Sequence, residues 1–254
     1  MTSPKCLVTP KQRPNADVKL ICFPYAGGSV ATYSTWVKNL PDNVELSIVQ
    51  MPGRGPRMFE TAHANMKDVM CELLAIMPDF LNKPYILFGH SLGSRIAFEL
   101  MAELQTLKLP LPLHFIASGS RGPHDKSNKK DIYHLPEPEF IAELKKLNGT
   151  PKAVLENQEL MDLFLPLLRA DFELADTYCF EGDSVFNCPI SVLGGEEDID
   201  ISFAQLESWQ NFFVQKAKVH MLPGDHFFID SHKDICLEKV NAIINTTLKV
   251  NRYY

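Results

Sequence analysis

Three residues able to perform acyl transfer stand far apart in this sequence: Ser91, Asp198 and His226. A serine hydroxyl is a weak nucleophile until a base takes its proton, and an imidazole does so best when a carboxylate fixes its tautomer and stabilises the imidazolium. Ser91 lies in Gly89-His90-Ser91-Leu92-Gly93, directly after the apolar run Tyr85-Ile86-Leu87-Phe88 and directly before a helical pattern. G-x-S-x-G between a strand and a helix is a nucleophile elbow, in which the glycines remove Cβ atoms that would clash as the backbone folds back and lifts the hydroxyl clear of a sheet. Five residues of low complexity also occur by chance, so the flanks carry this reading. On folds with this elbow the order is Ser, acid, His. Ser91, Asp198 and His226 follow that order, each at the end of a predicted strand. Asp198 is preferred over Glu196, Glu197 and Asp200 for its G-x-x-D spacing from Gly195, with Asp200 in reserve.

Attack on a carbonyl also creates an oxyanion that needs donors. The backbone N–H of Leu92, at the positive end of the helix, is one candidate. The second is the N–H of Ala26, or of Tyr25, in Phe23-Pro24-Tyr25-Ala26-Gly27-Gly28-Ser29, where a Gly-Gly pair follows a strand. A plain turn also uses such a pair, whereas a phosphate loop is disfavoured because no G-K-[ST] follows. Among eight histidines, His226 is set apart by Gly224 before it and Phe227-Phe228 after it. His90 reads as packing beside the nucleophile. His220, His226 and His232 do not have the spacing of a zinc motif such as H-E-x-x-H, so neither metal nor cofactor is expected. A thioester suits this machinery: a thiol of pKa about 8.5 leaves far more readily than an amine, and water activated by His226 then frees the acid from the acyl-serine.

The elements that must position these groups alternate between strands and helices. Strands are predicted at 18–23, 44–50, 85–88, 114–118, 190–194 and 219–222, and helices at 35–40, 65–80, 92–104, 203–213 and 233–248. The last is expected to bury Ile235, Val240, Ile243 and Ile244. This alternation argues for a mostly parallel sheet with helices on both faces, whose ligands sit at the carboxyl ends of the strands. From about 122 to 186 the alternation lapses into helices at 138–147 and 157–178, an insertion placed where a lid would cover the site. In the second of these, Leu160, Leu163, Phe164, Leu167, Leu168 and Phe172 form a stripe, with Asp162, Arg169, Asp171 and Asp176 mostly opposite. Pro166 is expected to restart that helix as a first residue. The loop at 51–57 holds Arg54 and Arg57, which could close salt bridges or meet an anionic ligand, although a solvated structural loop is the plainer reading.

A chain of 254 residues with 45% hydrophobic and 22% charged residues fits one α/β domain, 1–254, with an insertion. A net charge of -6 leaves no basic footprint for nucleic acid. The six cysteines show no C-x-x-C pairing and read as reduced thiols. With no signal-peptide core and no run of about 18 apolar residues, no membrane is expected and the location is read as cytoplasmic. The absence of a heptad repeat favours a monomer.

Taken in order, Phe23-Pro24-Tyr25-Ala26-Gly27-Gly28-Ser29, Gln50-Met51-Pro52-Gly53-Arg54-Gly55, Gly89-His90-Ser91-Leu92-Gly93 and Pro223-Gly224-Asp225-His226-Phe227-Phe228 resemble the type II thioesterases. These are stand-alone α/β-hydrolases that accompany polyketide and nonribosomal peptide synthetases, with a related branch serving animal fatty acid synthase. The likeness continues through Asn148-Gly149-Thr150-Pro151 and Leu163-Phe164-Leu165-Pro166-Leu167-Leu168-Arg169-Ala170-Asp171, and so spans nearly all of the chain after about residue 18. It implies the α/β-hydrolase fold and hydrolysis of acyl groups from the phosphopantetheine arm of acyl or peptidyl carrier proteins, clearing aberrant units. Two departures stand out: Gly224-Asp225-His226 replaces the usual Gly-Gly-His, and Leu92 and Ser94 replace common Met and Ala. Competing expectations are a medium-chain fatty-acyl thioesterase, an oxygen-ester esterase or lipase, and a carrier-protein-binding module with incidental catalysis that docks through Lys126, Lys129 and Lys130.

Overall fold

A computed structural model describes residues 6–126, 131–147, 149–150 and 152–251. Lys129 and Lys130 lie outside the described residues. Seven strands form one sheet: β1 (Leu7–Val8), β2 (Val18–Phe23), β3 (Val44–Val49), β4 (Tyr85–His90), β5 (His114–Ser118), β6 (Ile190–Gly195) and β7 (Lys218–Leu222). Their order is β1-β3-β2-β4-β5-β6-β7, with β1 antiparallel to β3 and every other pair parallel. Strands β2 to β6 are buried along their whole length, which is why they read as continuous apolar runs. The register sets Phe23 against Gly89, His90 against Ser118, Ser118 against Leu193 and Gly195 against Leu222. The carboxyl ends of β2, β4, β5, β6 and β7 therefore share one edge.

The helices are α1 (Val30–Ser34), α2 (Met66–Ala75), α3 (Met77–Phe80), α4 (Leu92–Thr106), α5 (Glu137–Leu147), α6 (Lys152–Leu155), α7 (Gln158–Thr177), α8 (Phe203–Glu207), α9 (Phe228–Ser231) and α10 (Lys233–Asn251). Side chains alternate across the pleat and fill two cores. Ile21, Leu87, Phe115 and Val192 face α2 and α4, which contribute Leu73, Phe98 and Met101; Leu20, Phe88, Ile116 and Leu193 face Trp36, Val240 and Ile244. Each fully buried side chain of this size contributes about 1.5–3 kcal/mol relative to exposure.

Several expectations are corrected. The helix foreseen over 65–80 breaks at Ile76, because Pro78 enters only as an early residue of α3. α7 runs unbroken through Pro166, which stands on an exposed side where water can serve the carbonyl left without its donor. In α10 the buried face is Cys236, Leu237, Val240, Ile243 and Ile244, while Ile235 is 42% exposed, one step out of phase. Asp171 and Asp176, expected on the polar side of α7, are buried. The loop at 51–57 is not solvated at its arginines. Arg54 meets Asp171 in a buried ion pair, and Arg57 pairs with Glu60 and Glu72.

Between β5 and β6, helices α5 to α7 build a small core of their own from Phe140, Leu144, Met161 and Leu168. The Arg169 guanidinium lies 4.6 Å over the Phe140 ring.

Candidate active site

The turn from β4 into α4 holds Ser91 at φ 53, ψ −117, a conformation side chains rarely adopt and one that costs about 1–3 kcal/mol. The surroundings impose it. Ser91 N–H donates to Ser118 O at 2.8 Å. A Cβ on Gly93 would run into the carbonyl of Phe23, and one on Gly89 into the backbone of Gly93 and Ser94, so both glycines of the motif are sterically required. Ser94 Oγ donates to Gly89 O at 2.7 Å and accepts from Ser118 N–H at 3.1 Å, tying the turn to β5. That role accounts physically for serine at this position and was not visible in the sequence. Ser91 occupies the N-cap position of α4, yet its side chain makes no capping bond, which leaves the hydroxyl for other work.

Asp198 follows β6 and His226 follows β7. Asp198 Oδ2 lies 2.7 Å from His226 Nδ1, with the Asp198 side chain 1% exposed. The other carboxylate oxygen, Oδ1, accepts from the backbone N–H groups of Asp200 at 2.9 Å and Ile201 at 3.2 Å. Asp200, the reserve candidate, instead lines the neighbouring cavity. Asp225, the departure beside the histidine, accepts from Phe227 N–H at 2.9 Å through Oδ1 and so closes a tight local turn.

His90 does more than pack. Its Nε2 lies 2.9 Å from the carbonyl oxygen of His226 and its Nδ1 lies 2.9 Å from Ser118 Oγ. A carbonyl only accepts, so this network assigns the proton to Nε2 and makes Nδ1 the acceptor of the Ser118 hydroxyl. Burial, reinforced by repulsion from His226, holds His90 well below the usual imidazole range and therefore neutral.

The loop after β2 approaches the same point. Gly28 N–H donates to Tyr25 O at 2.8 Å and Gly27 N–H to Asp171 Oδ2 at 2.6 Å. Among the described residues neither the Ala26 nor the Leu92 amide has a hydrogen-bond acceptor. Leu92 is the first residue of α4, where the helix dipole favours negative charge.

Ser91, Ala26 and His226 all stand on the wall of one cavity of about 120 Å³. Its remaining wall combines Leu144, Phe172 and Phe227 with Arg95, Arg121 and Asp176. Arg95 donates to Ala175 O at 2.6 Å, and burial beside Arg121 pushes its guanidinium down to about 10. Arg95 escaped sequence reading because it sits beside Ile96 on a helix read as buried. Among the described residues no group of three His, Cys, Asp or Glu side chains is placed to hold a metal, and no helix is long and apolar enough to cross a membrane.

Comparison with known proteins places this geometry in a family. The model of the thioesterase domain matches residues 18–244. Linear gramicidin dehydrogenase LgrE of Brevibacillus parabrevis is 37% identical over 96% of this chain and 92% of its own. The medium-chain S-acyl fatty acid synthase thioesterase of Rattus norvegicus is 34% identical over 86% of this chain and 84% of its own. Among solved structures, the type II thioesterase BorB from the borrelidin biosynthetic cluster superposes with a TM-score of 0.84 at 28% identity, over 95% of this chain and 97% of that one. With the elbow, the sheet order and the matched span in agreement, the chain belongs to the thioesterase family of α/β-hydrolases, among the type II thioesterases of nonribosomal peptide and polyketide pathways.

Proposed function

We propose that this chain is an editing thioesterase that hydrolyses acyl groups from the phosphopantetheine arm of acyl or peptidyl carrier proteins, with Ser91 as nucleophile, His226 as base and Asp198 as its orienting acid. The observation that carries this reading is the strained Ser91 sharing a cavity wall with an imidazole whose far nitrogen is held 2.7 Å from a buried carboxylate. In this mechanism Nε2 of His226 takes the Ser91 proton as Oγ attacks the thioester carbon. The amides of Ala26 and Leu92 receive the developing oxyanion. The thiol of the arm leaves with the proton from His226, and a water activated by the same nitrogen hydrolyses the acyl-serine. Residues 1–254 act as one cytoplasmic hydrolase domain, with the helical segment at about 122–186 as its lid. No bound cofactor takes part in this scheme; the phosphopantetheine belongs to the substrate.

The medium-chain reading draws on the 34% identical rat relative. The test compares rates for short and long acyl groups on carrier protein, on coenzyme A and as oxygen esters, for wild type and Ser91→Ala. Fast carrier-thioester cleavage that disappears in Ser91→Ala is expected. Undiminished turnover in that variant defeats the enzymatic reading, and faster oxygen-ester cleavage points to an esterase.

A further inference from the structure

We propose that Asp171, clamped by Arg54, is a positioning residue for the oxyanion hole, so that helix α7 of the insertion sets the aim of the Ala26 amide. The inference rests on Ser91 being the nucleophile and Ala26 a donor. The loop after β2 is a turn over residues 25–28, closed by Gly28 N–H to Tyr25 O at 2.8 Å, with Gly27 at φ +78. A positive φ at the third residue is the mark of a type II turn, which differs from type I by a flip of the central peptide. That central peptide carries the Gly27 N–H, and the acceptor holding it is Asp171 Oδ2 at 2.6 Å. The first peptide of the turn carries Tyr25 O, already bonded inward, and on its opposite edge the Ala26 N–H. Fixing the turn therefore fixes the direction of that donor.

The clamp is built from both sides. Arg54 Nη1 and Nη2 donate to Asp171 Oδ2 and Oδ1, each at 2.8 Å, and Nη1 also donates to Gly28 O at 3.1 Å. Gln50 seats the arginine loop on α1, accepting from Val30 N–H at 3.0 Å and donating to Arg54 O at 2.9 Å. The ion-paired side chains are 6% and 4% exposed. Buried ion pairs of this kind are a weak source of stability, and apolar replacements of similar volume often serve as well. The geometry supplies another reason for this one: it presents an acceptor to one loop amide and a donor to the next carbonyl. The same helix places Phe172, Ala175 and Asp176 on the cavity wall, so the element that shapes the acyl site also holds the catalytic loop.

The test uses the purified full chain and the variants Asp171→Ala, Asp171→Asn, the double substitution Arg54→Met with Asp171→Leu, and Ser91→Ala as control. Steady-state hydrolysis of an acyl-coenzyme A gives kcat and KM; a trifluoromethyl ketone, which forms a tetrahedral adduct with the nucleophile, reports on the oxyanion hole; thermal unfolding reports on the fold. Losing an oxyanion donor outright costs on the order of 10² to 10³ in kcat. A misaimed donor in Asp171→Ala is expected to cost roughly tenfold to a hundredfold, with KM nearly unchanged and ketone affinity falling in step with kcat. Asp171→Asn, which keeps an oxygen for Gly27 N–H, should recover most of the rate. The apolar double variant should unfold at or above the wild-type temperature and still be slow. Wild-type kcat in a folded double variant, or a loss confined to KM or to thermal stability, overturns the proposal. Retained turnover in Ser91→Ala would instead remove the reading on which it rests.

Discussion

Replacing Asp198 by Asn tests the proposed acid with almost no change in shape. In the folded protein Oδ1 of Asp198 accepts two backbone amides, at 2.9 Å from Asp200 and 3.2 Å from Ile201, while Oδ2 faces His226 Nδ1 at 2.7 Å. The two amides can only donate, so an asparagine must keep its carbonyl oxygen there and turn its NH2 toward the imidazole. Nδ1 must then accept, and the ring proton moves to Nε2. An imidazole in that tautomer has no lone pair for the Ser91 proton. The loss expected from a wrong tautomer is on the order of 10⁴ in kcat, equivalent to about 5.4 kcal/mol of transition-state stabilisation. Because the two amide bonds survive, unfolding temperature should change little. The assay is hydrolysis of an acyl-coenzyme A thioester by Asp198→Asn and by Asp200→Asn, with thermal unfolding of each. Asp198 is the carboxylate held against the imidazole while Asp200 lines the cavity, and the Asp200 variant should keep the rate within about tenfold. If Asp198→Asn retains a tenth or more of the wild-type rate, or Asp200→Asn is the crippled variant, the assignment of the acid is refuted.

Two further outcomes concern groups away from the site. Burial, aided by Lys218 and His220, pushes His114 from 6.5 down to about 4, while its ring nitrogens bond Thr247 and Ser191. The unfolded chain takes up this proton first, so the contribution is complete above pH 6.5 and is lost as pH falls toward 4, by about 3 kcal/mol. Urea unfolding of wild type and His114→Gln between pH 7 and pH 4 should show the flatter dependence in the variant, and parallel curves contradict it. For the thiols, burial pushes Cys6, Cys188 and Cys236 up to about 12 and Cys22 well up, whereas Cys71 is exposed and Cys179 half-buried. Iodoacetamide at pH 8 on the folded protein should therefore alkylate Cys71 and Cys179 alone, as read by peptide mass spectrometry, and prompt labelling of Cys6 or Cys236 counts against the reasoning.

What could be read from the sequence was whatever is written locally. The central strands were visible because burial on both faces leaves runs such as Leu20-Ile21-Cys22-Phe23, and the elbow because a strand, a tight turn and a helix follow without a gap. Asp198 could be ranked above Asp200 by spacing, and the fold brings Asp198 to the imidazole. Arg54 and Asp171 were hidden for the opposite reason. They are 117 residues apart, each alone reads as a solvated charge, and only their meeting under α7 makes burial tolerable. Ile235 shows a related limit: apolar character marks a helix face, but whether position 235 or 236 turns inward depends on how α10 rests on the sheet.

The neighbours of Ser91 explain how groups from three strands stay in register. His90 and Ser94 flank Ser91, and both reach Ser118 at the end of β5, one through Nδ1 to the side chain and the other through Oγ to the backbone N–H. His90 then extends the chain of contacts through Nε2 to the carbonyl of His226, beyond β7. One neutral, fully buried imidazole thus joins the turn at Ser91, β5 and the loop of the proposed base. Neutrality is what this arrangement needs. A second proton would sit at Nδ1 against Ser118 Oγ, force that hydroxyl to reverse its donation, and add a buried charge beside His226. Burial and the nearby imidazole both disfavour that protonation, so the ring that aligns the proposed base does not compete with it for protons.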